Sequence, residues 1–309
     1  MKILITGAGG MVGRNVAADP RSAGHDLLTP SRGILDLTDA GATDAYIARH
    51  QPDLIIHAAG LVGGIQANMS AQARFLAENL GIGLNVLTAA ARAGVPNLVN
   101  LGSSCMYPRD LDGVLSEDRL LSAPLEPTNE GYAIAKIAAC KLTSALNAEA
   151  AGRTWRTLIP CNLYGPFDHY TPDRSHLMAA IIAKTETARR GGHDTVEIWG
   201  DGAARREFMF VGDLADFIWR FHDRLADLPD VINVGAGVDA CINDYYRAVA
   251  DAAGFVGGFT HDLTRPVGMR RKLMGVAAQA RFGWSPPTPL TAGLMQAVAD
   301  YRRRYPDHG

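Results

Sequence analysis

Two patterns in the 309-residue sequence predict an α/β protein built on a doubly wound parallel sheet. Short apolar runs alternate with longer helical stretches through the first half, as a parallel sheet covered on both faces requires. A glycine-rich turn joins the first run to the first helix, a junction typical of Rossmann-type sheets. KILIT (2–6) reads as a buried strand, with a helix from Met11. DLLTP (26–30) is the second strand, followed by a helix over 40–50. DLIIHAA (53–59) is the third, and the apolar helix after it spans 71–93. LVNLGSS (98–104) is the fourth, with a helix over 131–150, and WRTLIPCNLYG (155–165) closes the series as one strand.

Beyond Gly165 the pattern changes. Residues 166–207 are loop-rich, with a helix over 175–190 and a strand at VEIWG (196–200). Residues 208–221 read as a short strand feeding a helix, and VINVG (231–235) as another strand. A helix over 243–253, an extended stretch through Phe259 and a helix over 292–305 complete the chain. The expected organisation is a nucleotide-binding domain over 1–165 and 208–240, with a smaller, discontinuous substrate lobe over 166–207 and 241–309.

Composition narrows the function classes. Thirty Lys and Arg against 32 Asp and Glu leave a net charge of −2, which gives no electrostatic footprint for nucleic acid or an anionic membrane. Hydrophobic residues at 47% and charged residues at 20% exclude wholesale disorder. Gly7, Gly9 and Gly10 interrupt any signal-like apolar run, and no stretch reaches the roughly 18–20 apolar residues of a spanning helix. Cys105, Cys140, Cys161 and Cys241 form no C-x-x-C pair, so neither a disulfide framework nor a metal site is expected. A cytoplasmic location follows as an expectation.

The turn Gly7-Ala8-Gly9-Gly10-Met11-Val12-Gly13 carries G-x-x-G-x-x-G between strand and helix. Gly7 permits the tight turn, Gly10 lets backbone approach a pyrophosphate, and Gly13 allows close helix–strand packing. Met11 and Val12 open the helix, whose unpaired N–H groups face the phosphates. A lone glycine triplet also makes plain turns, but here the strand–turn–helix context is present. After the second strand stand Ser31 and Arg32, with no acid before Asp36. An Arg there accommodates a 2′-phosphate, which favours NADP(H), with Asp36 counted beside it; the plainer reading of Arg32 is a solvated surface cation.

Tyr132 and Lys136 lie at i and i+4, on one helix face. An ammonium beside a phenol is expected to lower the phenol's pKa, preparing it to exchange a proton with an alcohol while a hydride moves. Ser103, at the end of the fourth strand, is placed to hydrogen-bond the same oxygen. A Y-x-x-x-K occurs often by chance; the glycine turn and the serine-rich strand end make the combination specific.

With these blocks in view, the chain resembles the extended branch of the short-chain dehydrogenase/reductase superfamily, and within it the GDP-L-fucose synthase family of 3,5-epimerase-4-reductases. The likeness rests on VGGIQAN (62–68), LGSSCMYP (101–108), LEPTNEGYAIAKIA (125–138), NLYGP (162–166), Arg174-Ser175-His176, RREF (205–208), VGDLAD (211–216), INVGAGVD (232–239) and RKL (271–273). The resemblance implies that Cys105 removes and His176 returns the protons beside a ketone, and that Tyr132, supported by Lys136 and Ser103, protonates the ketone oxygen. It places Tyr132, Lys136, Asn162 and Leu163 at the cofactor, and Asn162, His176, Lys184, Trp199, Arg206 and Lys272 at a GDP-linked keto-sugar. It implies a homodimer in which helices 71–93 and 131–150 pair into a four-helix bundle. Gly131, Cys161 and Leu61 depart from the family pattern, as do Met178 and Ala179, which are expected in a wall of the sugar pocket; these leave the sugar's identity open. The alternatives are a reductase or 4-epimerase acting on another nucleotide sugar, a GDP-heptose included, and a non-catalytic NADP(H) sensor.

Overall fold

The computed structural model describes residues 1–111, 113–171, 175–264 and 269–306. Arg174 lies outside the described residues. In chain order, β1 (Lys2–Thr6), α1 (Met11–Ala18), β2 (Asp26–Leu28), α2 (Ala40–His50), β3 (Leu54–His57), α3 (Ile65–Ser70), α4 (Gln72–Arg92), β4 (Asn97–Leu101), α5 (Glu130–Glu149) and β5 (Thr154–Pro160) build the first half. The second half contains β6 (Asn162–Tyr164), α6 (Leu177–Gly191), β7 (Thr195–Trp199), β8 (Arg205–Arg206), β9 (Phe208–Phe210), α7 (Val211–Phe221) and β10 (Val231–Val234). It ends with β11 (Ala240–Cys241), α8 (Ile242–Ala253), β12 (Gly258–Asp262), β13 (Arg271–Lys272), α9 (Ala277–Arg281) and α10 (Leu290–Arg304).

The main sheet has six strands, in the order β10-β5-β4-β3-β1-β2, and every neighbouring pair is parallel. Its strands are apolar throughout because side chains alternate between two buried faces. Ile3, Ile5, Leu54, Ile56 and Val99 join one cluster with Val16 of α1 and Leu214, Phe217 and Trp219 of α7. Leu4, Ile55 and Leu98 join the other with Ile47 of α2 and Val86 and Leu87 of α4. The doubly wound sheet expected from sequence is thus present. From β1 the chain first moves outward to β2 and then crosses to β3 on the other side. That reversal opens a crevice at the carboxyl ends of β1 and β3, where such sheets bind ligands.

A third cluster joins Met178, Ile181 and Ile182 of α6, Tyr245 and Val249 of α8, and Leu294, Ala297, Val298 and Tyr301 of α10. The i, i+3, i+4, i+7 spacing on α10 explains why that helix turns one stripe inward. The chain crosses between the clusters more than once. Trp219 donates through Nε1 to Val16 O at 2.9 Å, and β10 completes the main sheet beside β5. Trp284 then returns to the first cluster, its Nε1 bonded to Asp216 at 2.8 Å.

Several elements differ from the expectations. The run 155–165 is not one strand: β5 ends at Pro160, Cys161 makes the last sheet bond to Val234 O at 3.1 Å, and β6 pairs with β9 instead. The run 98–104 stops at Leu101, and Ser104–Met106 forms a 3-10 turn. Helix α3 precedes α4 as a separate short helix, and the two-residue strands β8, β11 and β13 are too short to leave a period in the sequence. Gly131 has a local reason, since a side-chain carbon there would come within 2.7 Å of Gln72 O at the start of α4. Among the described residues, no helix is long and apolar enough to cross a membrane. No group of three or more His, Cys, Asp or Glu among them could hold a metal.

Candidate active site

The crevice at the switch point is shaped by glycines. Gly7 has φ +71°, and a Cβ there would lie 2.7 Å from the Ala59 backbone; a Cβ on Gly13 would run into Gly7 O. β1, its turn and the segment after β3 are therefore packed too closely for side chains. Gly10 N donates to Gly7 O at 2.9 Å, closing the turn, while α1 starts at Met11 with no side-chain cap. The N–H groups of Met11, Val12 and Gly13 are left pointing out of the helix end, a cradle for phosphate. These residues fit a dinucleotide. At the end of β2, Arg32 is exposed between Asp36 (3.4 Å) and Glu78 (3.3 Å). Asp36 accepts from the backbone and hydroxyl of Thr38, which holds its carboxyl below the usual range.

The strand end after β4 carries the next group. Gly102 donates to Leu158 O at 2.8 Å, after which Ser103 starts the 3-10 turn that presents Cys105. Ser103 Oγ accepts from Cys105 N at 3.2 Å and is hydrogen-bonded to Tyr132. Tyr132 and Lys136 occupy the first turns of α5. Lys136 is buried and donates through Nζ to Leu101 O at 2.9 Å, and its Nζ lies 5.9 Å from the centre of the Tyr132 ring. Burial draws the Lys136 pKa down to about 8. The expectation that this ammonium lowers the phenol's pKa is not met. Burial pushes the Tyr132 phenol well up, Cys105 adds to the rise, and the Ser103 hydrogen bond opposes only part of it. The half-buried phenol is poor in solvation, and the ammonium is spent on a carbonyl. The result is a phenol that keeps its proton.

Cys105 Sγ receives two donors: Asn129 Nδ2 at 3.1 Å and Lys272 Nζ, from β13, at 3.7 Å. His176 stands at the N-cap of α6 and is exposed. The surrounding protein, then His169 and Lys272, hold its imidazole below the ordinary value, so it favours the neutral form. The loop before α3 reaches this region, because a Cβ on Gly64 would sit 2.9 Å from Ser175 O.

These contacts bring Ser103, Cys105, Tyr132, Lys136 and Lys272 together from segments far apart in sequence, with His176 near enough to Lys272 to feel its charge. Lys184 and Trp199 form a separate cluster, with Nζ 4.8 Å from the indole centre and bonded to Glu197 O at 3.1 Å; the indole is 45% exposed. Arg206 is half-buried beside Glu126, burial drawing its pKa down and Glu126 opposing. Asn162 donates to Glu207 O at 2.8 Å, with Leu163 next to it on β6. Met178 and Ala179 are fully buried in the third cluster, packed among core side chains, which differs from the place in a sugar-pocket wall expected for them.

Sequence reasoning missed two residues. Glu207 is buried, and its carboxylate accepts from Gly237 N at 2.8 Å and Met274 N at 2.6 Å, anchoring the segment that carries Lys272. A charge inside the apolar run EFMF was its signal. Asn129 sits at the N-cap of α5 but does not cap it, turning its side chain to Cys105 instead. Capping by Asn usually stabilises a helix by about 1 kcal/mol, so its diversion is informative.

A parallel sheet with a phosphate cradle at its switch point, and a Ser, Tyr and Lys beside it, defines a nucleotide-dependent oxidoreductase or epimerase. The chain belongs to the NAD dependent epimerase/dehydratase family, whose model matches residues 3–235. It is 48% identical to a GDP-L-colitose synthase from Yersinia pseudotuberculosis, with 96% of each chain covered. It is 44% identical to a GDP-L-fucose synthase from Azorhizobium caulinodans, covering 97% of this chain and 96% of that one. A GDP-mannoheptose C4 reductase from Campylobacter jejuni with NADP bound is similar in structure, at a TM-score of 0.87 and 28% identity over 97% of this chain and 98% of that one. The likeness read from the sequence motifs is borne out.

Proposed function

We propose that this protein carries out NADPH-dependent 3,5-epimerisation and 4-keto reduction of a GDP-4-keto-6-deoxy-sugar. The observation that carries the reading is Lys272 Nζ brought to Cys105 Sγ beside the Ser103–Tyr132 pair, with His176 near enough to Lys272 to feel its charge. Gly7, Gly10, Met11, Val12 and Gly13 hold the pyrophosphate of NADP(H), Arg32 the 2′-phosphate, and Lys136, Asn162 and Leu163 the nicotinamide end. When bound there, the cofactor supplies the hydride.

The chain's own groups do the rest. A proton on carbon beside a ketone is acidic because the electron pair left behind spreads onto the oxygen. Cys105 removes it, and His176 returns one to the opposite face. His176 needs its proton for this, and a GDP diphosphate that neutralises Lys272 relieves one of the cations holding its pKa down. Tyr132 then protonates the oxygen as the hydride arrives, with Ser103 orienting both. Lys184 and Arg206 balance the diphosphate, and Trp199 packs on the nucleoside.

Incubation with a GDP-4-keto-6-deoxy-sugar in deuterated water, with no NADPH, is expected to place deuterium at C3 and C5. Mass spectra without that label would leave only a reductase. The second reading keeps the reduction but changes the sugar, and the spread of relatives from colitose and fucose synthases to a heptose reductase favours it. A panel of GDP-keto-sugars separates the two.

A homodimer is also proposed. Leu80 and Leu84 on α4 and Ile134 on α5 are between 41% and 48% exposed on adjoining helices, an apolar surface that a second copy covers. Light scattering is expected to return twice the chain mass. A monomer at micromolar concentration would refute the pairing.

A further inference from the structure

We infer that Asn129 is a positioning residue for Cys105, switching its amide between donor and acceptor as the sulfur loses and gains its proton. The inference rests on the epimerase reading above. Asn129 Nδ2 lies 3.1 Å from Cys105 Sγ, and Lys272 Nζ lies 3.7 Å from it. The other end of the amide, Asn129 Oδ1, is buried with no hydrogen-bond partner. Buried acceptors are rarely left unmatched, and an Asn at a helix N-cap normally spends its oxygen on the helix. This one forgoes the cap.

The unmatched oxygen makes sense if the sulfur changes state. As a thiolate, Sγ needs donors, and Asn129 Nδ2 with Lys272 supplies them. When it takes the carbon proton, an S–H bond forms, the C–H bond breaks and the electron pair passes to the ketone oxygen. Sγ is then itself a donor, and half a turn of the Asn129 amide brings Oδ1 to meet it. An amide can serve both states because its two ends have similar shape and opposite hydrogen-bonding character. Lys272 serves only the charged state, and a carboxylate at 129 would serve only the protonated one.

Asn129→Asp therefore keeps the shape and removes the donor. At neutral pH, alkylation of Cys105 by iodoacetamide is expected to slow by about tenfold, because the thiolate is the reacting form. Cys241 is half-buried elsewhere and serves as an internal reference, while the buried Cys140 and Cys161 report unfolding. Lys272→Met, which removes the cation, is expected to slow Cys105 severalfold. Should Asn129→Asp expose Cys140 and Cys161, Asn129→Ala replaces it, with a severalfold slowing expected. Labelling of Cys105 at the parental rate in a folded Asn129 variant overturns the inference. Deuterium incorporation into the keto-sugar is followed on the same proteins and is expected to fall with the labelling rate; unchanged incorporation also overturns it. A parent that labels as described yet incorporates no deuterium refutes the epimerase reading, while the labelling ratio still judges Asn129.

Discussion

Replacing Tyr132 with Phe is expected to slow NADPH oxidation on the keto-sugar by about 10²–10⁴-fold, the usual contribution of a positioned proton donor. The phenol is held protonated by burial, and its hydroxyl is hydrogen-bonded to Ser103. Phe keeps the ring on α5 and removes only the oxygen. Binding of NADPH, followed by fluorescence, should change little, because Lys136 and the glycine turn are untouched. Deuterium exchange at C3 and C5 should also survive, since it needs Cys105 and His176. A Tyr132→Phe enzyme that reduces the ketone as fast as the parent would remove the proposed donor altogether.

The second large effect is expected at Cys105. Cys105→Ala should lower deuterium incorporation by about 10²–10⁴-fold, since it removes the sulfur that takes the carbon proton. The alcohol formed with NADPH would then keep the starting configuration at C3 and C5, which product NMR reads directly. Ala is smaller than Cys, and the half-buried position tolerates it with modest loss of stability. If the variant still yields inverted product, the base is another group and the cleft has to be reassigned. Together the two substitutions separate hydride transfer from carbon-acid chemistry in one pocket.

The sequence is most legible where local chemistry and tertiary demand agree. KILIT, the glycine turn and the helix over 40–50 fall at their expected positions because apolar runs, φ-positive glycine and helical periodicity each act over a few residues. The run 155–165 misleads because Pro160 and Cys161 look like any buried strand, while the break is imposed by strands that come about 50 and 70 residues later. The site shows the same division. Ser103, Cys105, Tyr132 and Lys136 are readable within one strand–helix unit. Asn129 hides as an ordinary cap, and Lys272 as an ordinary surface cation, until folding delivers both to the same sulfur. The Tyr132 pKa departs from expectation because i, i+4 spacing reports proximity and says nothing of burial or of a competing carbonyl.

Cys105 and Lys272 stand 167 residues apart, which has a consequence for biosynthesis. As the chain leaves the ribosome, the dinucleotide turn and the phenol emerge well before the cation that completes the sulfur's surroundings. A chain that has not yet reached β13 carries the glycine turn and the phenol but lacks one of the two donors to that sulfur. On the proposed chemistry, drawing a proton from carbon waits on β13, while holding the nucleotide does not.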